Sequence, residues 1–113
     1  MGINPRGDIV GGYGDTSGNF HGFLLSKGKF TTIDVPGAVQ TEAIGNNPQG
    51  EIVGVYFDSS SNSHGFLLSN GTFTTIDVPV AIFTDPSAID PQGDISGFYT
   101  DSSGNTHGFL LSK

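Results

Sequence analysis

The chain has no cysteine, no tryptophan and one methionine, and only four of its 113 residues are basic. Without cysteine there can be neither a disulfide nor a thiolate metal site, and the absence favours neither the cytosol nor the exterior. Eleven acidic side chains against those four give a formal charge of −7. That charge repels phosphate backbones and anionic bilayers, so neither nucleic acid nor a membrane is an expected partner. No apolar run approaches the roughly 18 residues of a membrane-spanning helix, and the N-terminus lacks the basic and apolar regions of a signal peptide. Helical apolar spacing is also missing, since no segment keeps it over three turns. With 18 glycines and 35% hydrophobic residues, the apolar supply is thin, and any core has to be shared between units of the chain.

What the sequence does have is repetition. His21, His64 and His107 each open the string HGFLLS, at a constant spacing of 43 residues. The same offset relates Pro5, Pro48 and Pro91, and Gly7, Gly50 and Gly93, without insertion or deletion. FTTIDVP occurs twice, from Phe30 and from Phe73. A period in this range is the signature of solenoids, propellers and other arrays. The whole chain, residues 1–113, therefore reads as one repeat domain, with repeats at 2–44 and 45–87 and a partial one at 88–113.

Each repeat contains four short segments of strand composition separated by turn signals, as an antiparallel meander requires. In the central copy the first spans about Thr41 to Asn46 and ends in Asn47-Pro48-Gln49-Gly50, the chemistry of a type I turn. The second, Glu51 to Phe57, puts Ile52 and Gly54 on one face and Val53, Val55 and Phe57 on the other; glycine inside it predicts a close backbone approach. The Asp-Ser-Asn clusters at 15–19, 58–62 and 101–105 then form tight turns. Ser61 stands where the other two copies have glycine, which predicts that positive φ is either unnecessary there or carried by Asn62. The third segment carries large apolar side chains on both faces. Lys27-Gly28 or Asn70-Gly71 follows as a two-residue hairpin turn, and FTTIDV forms the last strand, stopped by proline.

A four-stranded sheet that is apolar on both faces needs a neighbour on each side. The expected fold is all-β, a β-propeller or propeller fragment built from four-stranded antiparallel blades. A β-solenoid is the competing geometry, although its rungs are usually shorter and lack these hairpins.

The ordered strings GINP or its variant, the Asp/Glu-Ile-Val-Gly block, HGFLLS and FTTIDVPGA resemble the HAF repeat, a bacterial family of extracellular repeat proteins. The likeness covers essentially the whole chain. Departures from the pattern are Gly45-Asn46-Asn47 in place of Gly-Ile-Asn, Asp90 in place of the asparagine, and Ser96 in place of the valine before glycine. The segment order is also similar to NHL-type propeller repeats, in which the first strand lines the axis. The resemblance implies secretion and no established reaction.

The histidines are the obvious chemical candidates, since imidazole titrates near neutral pH. Their equivalent positions in separate repeats keep them apart, which favours a structural role. His64 is expected to hydrogen-bond Asp77 across its sheet, and His21 to bond Asp34, as buried polar networks; His107 is the third member. The Asp-Ser turns offer one carboxylate each, too few for a calcium loop. Asn70-Gly71-Thr72 matches an N-glycosylation sequon but reads first as a hairpin turn. No nucleophile motif, phosphate loop or marked carboxylate pair is present, so no catalytic residue, cofactor or metal site is expected.

The leading functional expectation is a non-enzymatic extracellular module acting as scaffold or protein-interaction domain. The alternative is a multivalent carbohydrate-binding propeller using Tyr13, Tyr56 and Tyr99, with glycan as partner; a propeller lyase or hydrolase fragment comes third. The chain opens at the end of a first strand and closes after a third one. Three blades cannot close a propeller, which takes roughly four or more. Self-association is therefore expected, most simply a head-to-tail dimer forming a six-bladed ring, and a truncated piece of a longer array fits as well.

Overall fold

A computed structural model describes residues 1–113 as three antiparallel sheets without a helix. The first sheet contains β1 (Gly2–Ile3), β2 (Ile9–Gly14), β3 (Phe20–Ser26) and β4 (Lys29–Ile33). The second contains β5 (Gln40–Asn46), β6 (Ile52–Phe57), β7 (Ser63–Ser69) and β8 (Thr72–Ile76). The third has three strands, β9 (Ala81–Ile89), β10 (Ile95–Asp101) and β11 (Thr106–Leu111). Strand order follows chain order in all three, so each sheet is a meander. The 43-residue sequence repeats begin at Gly45 and Ala88, inside β5 and β9. The unit that forms a sheet is therefore displaced from the unit that repeats in sequence, because the first strand of each sheet precedes the Asn-Pro turn.

The alternation read from sequence sets the stacking. Ile52 faces back to the first sheet and joins Val10, Ile33, Val35, Ala43 and Phe66 in one core cluster. Val53, on the opposite face, joins Ile76, Ile89 and Ile95 in a second cluster. Both apolar layers lie between sheets, so no sheet owns a core, as expected for a repeat array. The glycine of the second strand does permit close approach. A Cβ on Gly54 would run into the Glu42 carbonyl oxygen. That contact coincides with a register shift between Ala43 and Gly45, where Ile44 is the additional residue of a bulge in β5. A register shift also occurs where β9 runs beside Ser96 and Gly97, and there it accommodates buried Pro86, which covers Gly65.

The hairpin turns follow their chemistry, with Lys27 and Asn70 at φ 53° and 52° followed by Gly28 and Gly71 at φ 78°. The turn after β6 differs from expectation. Ser61 itself takes φ 66°, so positive φ is both required there and not carried by Asn62. The reason is the Asp58 side chain, whose Oδ1 accepts the N–H groups of Ser60 and Asn62 at 2.9 and 3.0 Å while Ser61 N–H donates to the Asp58 carbonyl at 3.0 Å. These bonds impose the left-handed conformation at the position between them.

Candidate functional site

Two sets of polar side chains recur at the 43-residue spacing, one within each sheet and one between sheets. The within-sheet set is built on the histidines. The Asp15 turn and β3 bring His21 Nε2 to 2.8 Å from Asp15 Oδ2, while its Nδ1 lies 2.8 Å from Asp34 Oδ1 beyond β4. His64 repeats the arrangement, 2.9 Å from Asp58 and 3.0 Å from Asp77. His107 meets Asp101 at 2.8 Å and leaves Nδ1 without a partner. The His–Asp pairs across the sheet are thus present in the first two repeats. They are only partly buried, however: the histidine side chains are about a quarter exposed and the Asp34 and Asp77 side chains about half. The sequence reading missed the second partner, the turn aspartate, although its constant six-residue distance from each histidine was visible. Each turn carboxylate divides its oxygens between backbone N–H groups and imidazole, which commits it to the turn.

The hydrogen bond from Asp15 is the largest cause of a raised His21 pKa, followed by that from Asp34; for His64 the largest is that from Asp58, partly opposed by burial. The same bonds lower Asp15, Asp58 and Asp101. A raised histidine contributes stability that is complete below the unfolded value near 6.5 and is lost as pH rises through the folded one. A lowered aspartate contributes stability above 3.8 that is lost as pH falls through its folded value. Both are present between those limits. The melting temperature is expected to fall as pH rises above the ordinary histidine value of 6.5. In the variant carrying His21→Gln and His64→Gln that fall should shrink; identical pH profiles for the two proteins would remove the histidines from the account.

The tyrosines sit beside these pairs. Tyr13 and Tyr56 rings lie 5.2 and 5.1 Å from the His21 and His64 rings, and their hydroxyls bond Thr32 at 3.0 Å and Thr75 at 2.8 Å. Tyr99 is 5.0 Å from His107, and its hydroxyl has no partner. In the first two repeats the proposed sugar-contacting aromatics are engaged within their own sheets.

The between-sheet set uses the asparagines of the Asn-Pro turns. Asn47 Oδ1 accepts the Glu51 N–H at 2.9 Å; its Nδ2 donates to Glu51 Oε1 at 2.7 Å and to the Asp90 carbonyl of the third sheet at 3.0 Å. Asn4 does the same one repeat earlier, donating to Asp8 Oδ2 at 3.2 Å and to the Asn47 carbonyl at 3.1 Å. Both side chains are almost fully buried. Every amide group is used, so each asparagine closes its own turn and clips the next sheet to it. Thr41 and Thr84 add a second clip, accepting the Val35 and Val78 N–H groups at 3.1 and 3.0 Å. The asparagine spacing was legible, but its purpose requires knowing that consecutive turns stack.

One acidic pair departs from this pattern. Burial and the nearby Glu42 charge raise the Asp85 pKa, in that order. The two carboxylates occupy equivalent positions in β5 and β9, and no cluster of three or more metal-ligating side chains exists. No family model, no curated protein and no solved structure matches the chain.

Proposed function

We propose that the chain is a non-catalytic repeat scaffold of the HAF type, acting outside the cell, whose sheets are propeller blades and whose end faces join a second copy head to tail. The observation that carries this reading is the destination of its polar chemistry. The recurring histidines, turn carboxylates and asparagines serve the sheet, the turn or the junction to the next sheet, and they do so in the same way in the first two repeats. An active site needs a singular cluster, and repetition dilutes that requirement. The carbohydrate-binding alternative receives less support, since Tyr13 and Tyr56 are held by histidine and threonine.

The end faces supply the interaction surface. Met1, Ile3 and Phe30 are exposed on the first sheet, and Phe98 and Leu110 on the third. Contiguous apolar groups at both ends of a stack favour closure by another copy. Along the chain, Val10 meets Ile52 and Val53 meets Ile95. The next pair in this series is Ser96 with Ile9 of a second copy. The cysteine-free background makes the test direct: the variant with Ile9→Cys and Ser96→Cys, mildly oxidised, is expected to give a covalent dimer. A chain that stays monomeric with free thiols, or that forms an open ladder of higher species, would refute the two-copy ring.

A further inference from the structure

We infer that the cleft between β6 of the second sheet and β9 of the third receives an arginine side chain of a basic polypeptide partner. The site goes beyond the end-to-end association proposed above and does not depend on it, since the cleft lies between two sheets of one chain. Its position is where the repeats stop being alike. Between β2, β3 and β4 and their counterparts β6, β7 and β8, only four residues differ: Gly12 and Val55, Gly14 and Phe57, Phe20 and Ser63, Lys29 and Thr72. Three of those four, Val55, Phe57 and Ser63, line one cleft of 290 Å³ whose other wall is Phe83, Thr84 and Asp85. At the preceding junction the Phe20 ring covers Gly12 and Gly14, so closely that a Cβ on Gly12 would come within 3.1 Å of it, and the cavity beside it measures 90 Å³. Serine in place of Phe20 opens the second junction. The residues that hold the sheets together are the same in both repeats, so a change concentrated on one cleft serves something other than the fold.

The lining sets the ligand. Phe57 and Phe83 are exposed while Thr84 is buried, so the aromatic rings form the rim. Asp85 is partly buried, and its carboxylate has neither a hydrogen-bond donor nor a cation beside it; burial first and then the Glu42 charge raise its pKa. A partly desolvated, uncompensated carboxylate beside two phenyl rings is a receptor for a cation, because the ring faces attract it and the carboxylate pairs with it. Arginine fits better than lysine. Its guanidinium is planar, stacks on rings, sheds water more readily and offers two parallel N–H donors to one carboxylate.

The distribution of charge points to a basic partner. Arg6, Lys27, Lys29 and Lys113 all lie at the end of the sheets that holds the Asn-Pro turns, among Asp8, Glu51, Asp90 and Asp94. The remaining seven of the eleven acidic residues lie towards the opposite end, where the cleft is, so the formal charge of −7 is confined to that end. The histidines there are each already held by an aspartate. Such a field gathers a basic segment, and the cleft selects its arginine.

The test titrates the whole 113-residue protein with a pentapeptide amide that has lysine at both ends and arginine at its centre, spaced by glycine, and follows NMR signals. Saturable one-to-one binding that moves the Thr84 and Asp85 amides and the Phe57 and Phe83 rings is expected, tightening as salt is lowered. A double-mutant cycle isolates the contact. Exchanging the central arginine for citrulline, its neutral isostere, should be coupled roughly tenfold to Asp85→Asn in the protein. The same cycle with Asp34→Asn, which removes an equal charge from the same end but outside the cleft, should show a coupling below about twofold. Ser63→Phe, which restores the ring of the first junction, should weaken binding about tenfold with an unchanged melting curve. Equal coupling to the two aspartates would reduce the binding to diffuse attraction and overturn the inference. So would a central lysine or leucine that binds as tightly as arginine, or no saturable binding up to about 10 mM.

Discussion

Asn47→Asp is expected to destabilise the protein by about 3 kcal/mol or more, because it buries a carboxylate where an amide donor is required. The Asn47 side chain is almost wholly enclosed, with a Glu51 carboxylate oxygen 2.7 Å from Nδ2 and the Asp90 carbonyl 3.0 Å from it. Replacing that NH₂ with oxygen turns two attractive contacts into repulsive ones and leaves both acceptors unpaired. The Asn47 hydrogen bond is also the largest cause of the lowered Glu51 pKa, so the substitution should raise Glu51 as well as the new carboxyl group. For a chain of this length the loss corresponds to a fall in melting temperature of roughly 15 °C. Thermal denaturation near neutral pH checks the magnitude. Repeating it in acid checks the cause, since protonating the new carboxyl restores a donor and should recover part of the loss. A change of less than about 1 kcal/mol would show that the clip does not hold the sheets together.

Nature's own version of that substitution lies at Asp90. There the carboxylate accepts the Gln92 and Asp94 N–H groups at 3.0 and 2.9 Å, closing the turn as asparagine does. It has nothing to donate to a following sheet. Two further differences fall on the same outer side of the third repeat. Ser96 is exposed where Val10 and Val53 are fully buried, and Ala88 stands where the other copies have glycine. A Cβ on Gly2 would approach the Ile44 carbonyl of the next sheet to 2.7 Å, so Ala88 prevents an equally close approach. The three departures thus weaken one junction in a single direction, while leaving Phe98 and Leu110 available on that face.

The strand order and the alternation of Ile52 against Val53 were legible because a repeated sequence shows which positions must do the same thing. The hairpin turns were legible because Asn70-Gly71 leaves the backbone few choices. Less could be read where one side chain reprograms another residue. Ser61 takes positive φ because Asp58 binds the two N–H groups around it, and neither residue alone announces that. The β5 bulge at Ile44 was hidden for a similar reason, being a response to Gly54 of the neighbouring strand. Of the polar groups, the pairing of His64 with Asp77 could be anticipated from alternation across a hairpin. The partnership with Asp58 and the asparagine clips depend on how a turn folds over or stacks on its neighbour, which periodicity does not encode. Val80 is a further case: it holds φ 65° in the linker where the previous repeat has Gly37 at φ 80°, so linker geometry outlasts the residue that suits it.

The second large effect follows from the three departures at the end face. Asp90→Asn together with Ser96→Val restores a donor and a buried valine to the outer junction. One hydrogen bond and one aliphatic side chain contribute about 2 kcal/mol between them at each junction, and a two-copy ring has two such junctions, so the dimer should tighten roughly a thousandfold. The folded chain itself should be little affected, since both residues lie on the outer side of the third sheet. Sedimentation equilibrium of the unsubstituted protein beside this variant is therefore the measurement that bears most directly on the proposal that the chain associates through its ends. The expected result is a concentration-dependent equilibrium between the 11.7 kDa chain and its dimer, displaced towards dimer by the two substitutions. Two proteins that remain monomeric at every concentration, with the variant no more associated than its parent, would contradict it.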